Sequence, residues 1–179
     1  PMQKYIYSTE AATAGTPSYF AMGISMVGPV IMGFGTEAQK GHYLSRILSG
    51  EAIWCQGYSE PGAGYDLASL RTSGVIDGDH LVINGQKIWT SSGHIADWGW
   101  LAARTDPDAP KHRGISLMLV DMKTPGITIR PVIKMTGSHE FNQVFFDNVR
   151  VPKKNLVGEL NRGWYTLAVA LDFERSGVA

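Results

Sequence analysis

A single cysteine in 179 residues, Cys55, excludes an internal disulfide. The five histidines, His42, His80, His94, His112 and His139, never approach it or one another at metal-ligand spacing, so the expectation is an inert, buried thiol and no metal. Neither charge is in excess, since 16 Lys and Arg stand against 16 Asp and Glu. No basic field would therefore gather nucleic acid or an anionic membrane. Long hydrophobic runs are missing too. Tyr19 to Phe34 is apolar for only about three turns and carries Ser25, several glycines and Pro29, where a bilayer span needs roughly 20 apolar residues. It reads as a buried core helix interrupted at Pro29. No signal-peptide pattern opens the chain, which with the lone cysteine points to a reducing cytoplasm.

What is present divides into three segments. Residues 1–50 read as helical: Thr36 and Gln39 form a capping box ahead of Tyr43, Leu44, Ile47 and Leu48 on one apolar face, and Gly50 is a stop signal. From 51 to 157 the helical period gives way to short runs rich in Val, Ile, Trp and Phe. Strands are expected at Val75-Ile76, Leu81 to Ile83, Ile88-Trp89, Trp98 to Arg104, Ile115 to Asp121, Gly126 to Arg130, Gln143 to Phe146 and Val149 to Val151. Asp77-Gly78-Asp79 and Asn84-Gly85 supply turn chemistry for a series of hairpins. Strands so spaced predict an antiparallel β-barrel or sandwich, giving an α+β chain with helical segments on either side. Residues 158–179 return to a helical period through Trp164, Leu167, Ala168, Leu171 and Val178. The uncapped stop at Ala179 and the abrupt start at Pro1 read as a fragment of a longer protein.

Two clusters carry the chemistry. In Ser59-Glu60-Pro61-Gly62-Ala63-Gly64-Tyr65-Asp66, Pro61 fixes a backbone angle while Gly62 and Gly64 let backbone amides approach a flat or anionic ligand. By itself the loop is equally a wide turn leaving a strand. About 30 residues later, Lys87-Ile88-Trp89-Thr90-Ser91-Ser92 places an indole and hydroxyls at a strand end. An indole makes a flat wall for an aromatic cofactor, although most strand tryptophans are core.

The two clusters in order, followed by Val149-Arg150-Val151-Pro152-Lys153-Lys154-Asn155-Leu156-Val157-Gly158 before a helix, resemble the acyl-CoA dehydrogenase family. The resemblance implies a β domain between two helical domains: 1–50 would end the first, 51–157 would be the β domain, and 158–179 would open the second. It implies FAD as cofactor, an acyl-CoA thioester as substrate, an electron-transfer flavoprotein as partner and an oligomer. The backbone of Tyr58 and the hydroxyl of Ser59 would bond the flavin ring, Trp89 would pack beside it with Thr90 next to it, and Ser91 would approach its reactive edge. Tyr65 and Asp66 would face the acyl-CoA; Tyr65 stands where the family pattern has Ser, and its bulk would reshape the thioester or pantetheine channel. FAD-dependent α,β-dehydrogenation is the implied reaction, with a same-fold oxidase, a flavin monooxygenase and a non-catalytic partner subunit as the alternatives.

That reaction needs a desolvated carboxylate to take the α proton of a weakly acidic thioester. Some family members, among them those similar to isovaleryl-CoA dehydrogenase, carry this Glu just before an Arg on the first helix after the β domain. Phe173-Glu174-Arg175 matches that placement, which makes Glu174 the candidate base and Arg175 a substrate-side residue. Glu174 is equally a residue paired with a neighbouring helix. The His139-Glu140-Phe141-Asn142 stretch reads as a structural loop with no assigned role, and the fragment alone is expected to be inactive.

Overall fold

A computed structural model describes residues 2–17 and 21–176. Among the described residues four α-helices are formed: α1 (Met2–Thr13), α2 (Gly28–Phe34), α3 (Glu37–Leu48) and α4 (Gly163–Ser176). Eight strands lie between α3 and α4: β1 (Trp54–Gly57), β2 (Ser73–Asp77), β3 (His80–Lys87), β4 (Trp98–Arg104), β5 (Ile115–Asp121), β6 (Ile127–Ile133), β7 (His139–Pro152) and β8 (Leu156–Val157). They join one sheet in the order β6-β7-β3-β2-β4-β5-β8, with β1 parallel to β4. The expected α+β architecture is present. Its sheet is mixed rather than wholly antiparallel, because β1 and the first residue of β2 both pair in parallel with β4.

Alternation along β4 builds two cores. Trp100 and Ala102 face the helices, where they join Trp54, Ile115, Leu117 and Leu119 with Val27, Val30, Ile31, Tyr43, Ile47, Leu167 and Ala170. Leu101 and Ala103 face the other way and meet Leu81, Ile83, Met118, Val120, Val144, Phe146, Val149 and Val151. The second cluster is drawn from the strands and their connections, with no helix residue among them, so the β3–β7 half of the sheet folds over its β4–β5 half. Each large side chain buried in this way stabilises the fold by roughly 1.5–3 kcal/mol.

The capping box of α3 forms as read: Thr36 Oγ1 accepts from the Gln39 N–H at 3.2 Å, and Gln39 Oε1 accepts from the Thr36 N–H at 3.0 Å. Gln39 also donates to the carbonyls of Lys154 (2.8 Å) and Leu156 (2.7 Å), which staples α3 to the chain leaving the sheet. Tyr43 and Ile47 are buried, but Leu48 is 74% exposed and lies off the apolar face. At the far end, α4 presses on β5 so closely that a Cβ at Gly163 would stand 2.5 Å from the Leu117 nitrogen. Among the described residues no helix is long and apolar enough to cross a membrane.

Four expectations are corrected. Ile88-Trp89 is not a strand, because β3 ends at Lys87 and Trp89 takes a left-handed conformation. The helix does not break at Pro29: a wide turn over Met22–Val27, in which the Gly28 N–H reaches the Gly23 carbonyl five residues back, leads directly into α2. The proline sits at the start of α2, where the widened turn before it accommodates the N–H that its ring lacks; Tyr19 and Phe20 lie outside the described residues. Asn84-Gly85 is not a turn. β3 runs straight through it, and the bulge opposite belongs to β7, where three steps from Val149 to Phe146 face two from Ile83 to Gly85; Gly85 has φ +149°, and a Cβ there would lie 2.7 Å from Thr72 Cα. Only Gly78-Asp79 makes the hairpin, with Asp77 opposite His80. Finally, His139 to Asn142 is the start of β7 rather than a loop, and Gln143 to Val151 is continuous strand.

Candidate functional site

β1 delivers the first cluster. Gly57 packs against Leu101, the Tyr58 ring lies 5.1 Å from that of Trp100 and is buried, and the chain then turns out of the sheet. Glu60 and Ala63 exchange both backbone hydrogen bonds at 3.1 Å, which closes a tight loop over Pro61 and Gly62. A Cβ at Gly62 or Gly64 would meet nothing within 4 Å, so this rim is open.

Beneath the loop lies a buried ion pair. Lys87 is fully buried and donates to Glu60 Oε1 at 2.8 Å and to the Tyr58 carbonyl at 3.0 Å. Glu60 also accepts the backbone N–H groups of Arg71 (2.7 Å) and Thr72 (2.8 Å). Burial alone would raise the Glu60 pKa, but the Lys87 charge and the hydrogen bonds from Lys87, Thr72 and Arg71 outweigh it and hold the carboxyl below its ordinary value. Lys87 is drawn down by burial, with Glu60 opposing. Its signal was available in the strand pattern: Lys87 shares the face of β3 that carries Leu81 and Ile83, and a lysine on a buried face needs an acid.

The second cluster follows where β3 ends. The Ser59 carbonyl accepts the Ile88 N–H at 2.9 Å, so the loop and the turn are neighbours although about 30 residues apart in sequence. Trp89 has φ +61° and Ser92 φ +58°, left-handed conformations that are uncommon for side chains of this kind. Trp89 is 56% exposed, its outer face free and its ring edge-on to Phe141 at 6.0 Å. Ser59 and Ser91 are half-buried. Thr90 turns inward: its hydroxyl is buried without a hydrogen-bond partner and lines a cavity of about 10 Å³ with Cys55, Gly57 and Lys87. Burial pushes the Cys55 thiol up to about 12, which keeps it inert.

Tyr65 and Asp66 stand apart from the turn. Tyr65 is fully exposed. Asp66 pairs with Lys111 at 2.7 Å and accepts from Ser69 at 2.5 Å, and those hydrogen bonds hold its carboxyl below the usual range. Glu174 and Arg175 fall on α4, four and five residues after buried Ala170, but their side chains lie outside the described residues, as does Val178. No group of three or more His, Cys, Asp or Glu suited to a metal occurs among the described residues.

A helix-backed, folded-over sheet whose edge offers a glycine-rich loop beside an exposed, strained indole defines a scaffold for a flat ligand. The acyl-CoA dehydrogenase middle-domain model matches residues 55–149, and the acyl-CoA dehydrogenase N-terminal domain model matches residues 1–51. The chain belongs to the acyl-CoA dehydrogenase family. It is 47% identical over 175 residues to acyl-CoA dehydrogenase FadE29 of Mycobacterium tuberculosis, covering 98% of this chain and 45% of that protein. A solved structure described as the Tcur3481-Tcur3483 steroid ACAD G363A variant superposes with a TM-score of 0.89 at 45% identity, over 96% of this chain and 45% of that one. The ChsE4-ChsE5 complex from Mycobacterium tuberculosis does so with a TM-score of 0.85 at 46% identity, over 96% and 44%. The chain thus spans under half the length of these relatives.

Proposed function

We propose that this chain supplies one wall of the active site of an FAD-dependent acyl-CoA dehydrogenase, which removes hydrogens from the α and β carbons of an acyl-CoA thioester. The observation that carries the reading is the Ser59 carbonyl to Ile88 N–H bond, because it brings the backbone of Ser59 beside that of Ile88, one residue before the exposed Trp89 indole. These residues fit a flavin: the indole offers a flat apolar face, the two hydroxyls are half-buried, and the Gly62 and Gly64 rim leaves open space. FAD, when bound, accepts the hydride from the β carbon. The chain's own residues orient it. The Tyr58 backbone and Ser59 hydroxyl would bond the ring, Trp89 would pack beside it with Thr90 next to it, and the Ser91 hydroxyl would approach its reactive edge.

Glu174 is the base that takes the α proton, and Arg175 steadies the substrate beside it. What supports this is the position of Glu174 on α4, four residues beyond buried Ala170, on a stripe where a charge needs a reason. Tyr65 and Asp66 line the acyl-CoA approach. The steroid named for one structural neighbour and the two-protein complex named for another lead us to a bulky, ring-containing acyl group and assembly with a second chain, with an electron-transfer flavoprotein as the electron acceptor.

The test uses the full-length protein with any partner chain. It should carry flavin absorbance that bleaches anaerobically on adding acyl-CoA and returns only slowly in air. Glu174→Gln should abolish bleaching while the flavin stays bound. A colourless protein would overturn the flavin reading, fast reoxidation in air would favour an oxidase, and full activity in the Gln variant would remove Glu174 from its role.

A further inference from the structure

The Trp89–Ser92 turn is strained at both ends, so something must hold it. Two left-handed non-glycine residues cost on the order of 1–3 kcal/mol each and persist only when the surroundings over-determine them. The surroundings here are the first residues of β7. The Thr90 N–H donates to the Asn142 carbonyl at 3.0 Å, and the Ser92 N–H donates to the Glu140 carbonyl at 2.9 Å. The Asn142 side chain completes the clamp by donating from Nδ2 to the Thr90 carbonyl at 2.9 Å. Both backbone groups of Thr90 are thus held by one residue, which is fully buried.

The orientation of that amide is itself dictated. The Thr90 carbonyl only accepts, so Nδ2 must face it. The second Nδ2 hydrogen points to His94 Nδ1 at 3.2 Å, which therefore acts as the acceptor. Oδ1 receives His139 Nε2 at 2.8 Å. The two imidazoles stack with centroids 4.0 Å apart and 24° between planes, closing over the amide. Rotating the amide by half a turn would set Oδ1 against the Thr90 carbonyl and Nδ2 against a His139 donor. The carbonyl thereby fixes the amide, and the amide in turn sets which nitrogen of each ring carries its proton.

We propose that Asn142 is a positioning residue for the flavin wall: its bidentate hold on Thr90 fixes the strained turn that presents Trp89 and Ser91, and His94 and His139 act as the latch that holds its amide. This rests on the reading of Trp89 and Ser91 as flavin contacts. It assigns a task to the His139 to Asn142 stretch, which polar composition alone marked only as a loop. Asn142 touches no reacting atom and works through the turn.

The test is flavin affinity in the full-length protein, by titrating stripped protein with FAD, together with the visible circular dichroism of bound flavin. Asn142→Leu keeps the volume and removes the clamp. It is expected to weaken FAD binding about tenfold and to change the visible dichroic band, as loss of one or two buried hydrogen bonds at the wall implies. Asn155→Asp is the matched control, because Asn155 also donates to a backbone carbonyl, that of Leu119 at 2.8 Å, but beyond the far end of β7. A merely structural role would move both variants alike; the latch requires that only the first moves. Should Asn142→Leu fail to fold, the double variant His94→Ala/His139→Ala, at more accessible positions, must change the dichroic band in the same sense. Trp89→Ala separates the two claims. If it weakens FAD while Asn142→Leu and the histidine pair leave affinity and dichroism unchanged, the latch is overturned and the wall stands. If wild-type protein binds no FAD, both are overturned.

Discussion

The Ser59–Gly64 loop is held from beneath by a buried ion pair, Lys87 to Glu60 at 2.8 Å, whereas the Trp89–Ser92 turn beside it is held by neutral hydrogen bonds against two left-handed backbone conformations. The loop itself is relaxed. Its glycines and proline suit their places, and its anchor is expensive to bury but closely paired. The turn is strained, and its anchor is an amide between two rings. One wall stores its cost in desolvated charge, the other in backbone geometry. A ligand face that needs both an open rim and a rigid indole is served by that division, because the rim can be glycine while the indole cannot.

The largest effect that would break this comparison comes from the ion pair. Lys87→Met leaves Glu60 buried with only two backbone donors and is expected to destabilise the protein by about 3–5 kcal/mol, read by urea unfolding. The double variant Lys87→Met/Glu60→Gln should recover much of that loss. A single variant as stable as wild type would mean the loop is not held by charge at all. A second, smaller effect is read with pH. Since the Glu60 pKa is lowered in the fold from its ordinary 4.5, its share of stability is present above that pH and is lost as the pH falls through the folded value. Stability measured across acid pH should therefore fall less steeply in Glu60→Gln than in wild type, and parallel curves would contradict the assignment.

The turn should respond in the opposite direction. Ser92→Gly relieves a left-handed side chain at φ +58° and is expected to stabilise the fold by about 1 kcal/mol, with the hydrogen bond to Glu140 retained. The gain would show as a raised unfolding midpoint, and a lowered midpoint would mean that the turn carries no releasable strain. The same change is expected to loosen the indole, so stability and flavin affinity should move apart.

How far these walls could be read in sequence follows from the same physics. β4 and β5 have the expected bounds, because each is a short, almost wholly apolar run closed by a charged residue, Arg104 or Asp121, and that is a local signal. The capping box of α3 was equally legible. Asn84-Gly85 misled because the dipeptide that makes a hairpin turn also fits a strand opposite a bulge, and the choice is set by Thr72 packing on Gly85 and by Asn84 bonding Asn148, which lies far along the chain. Glu60 and Lys87 stood inside quoted motifs, yet their union depends on how β1 and β3 are brought together. Asn142 was hidden for a further reason. Its partners Thr90, His94 and His139 come from two segments about 50 residues apart, and an asparagine in the polar opening of a strand has no local mark of burial.

The smallest effect tests whether charge matters on the loop only where it is buried. Asp66 follows the glycine-rich rim and makes a 2.7 Å pair with Lys111, shorter than the Lys87–Glu60 contact, yet both partners are more than half exposed. Hydrogen bonds from Lys111 and Ser69 hold its carboxyl below the usual range, but water replaces them readily when the charge is removed. Asp66→Asn is accordingly expected to leave the urea midpoint where it is, at low and at high salt. Its effect, if Asp66 lines the acyl-CoA approach, belongs to KM. A fall in stability approaching that of Lys87→Met would show that contact distance rather than burial sets the worth of an ion pair here, and the contrast between the anchored floor of the loop and its solvated rim would fail.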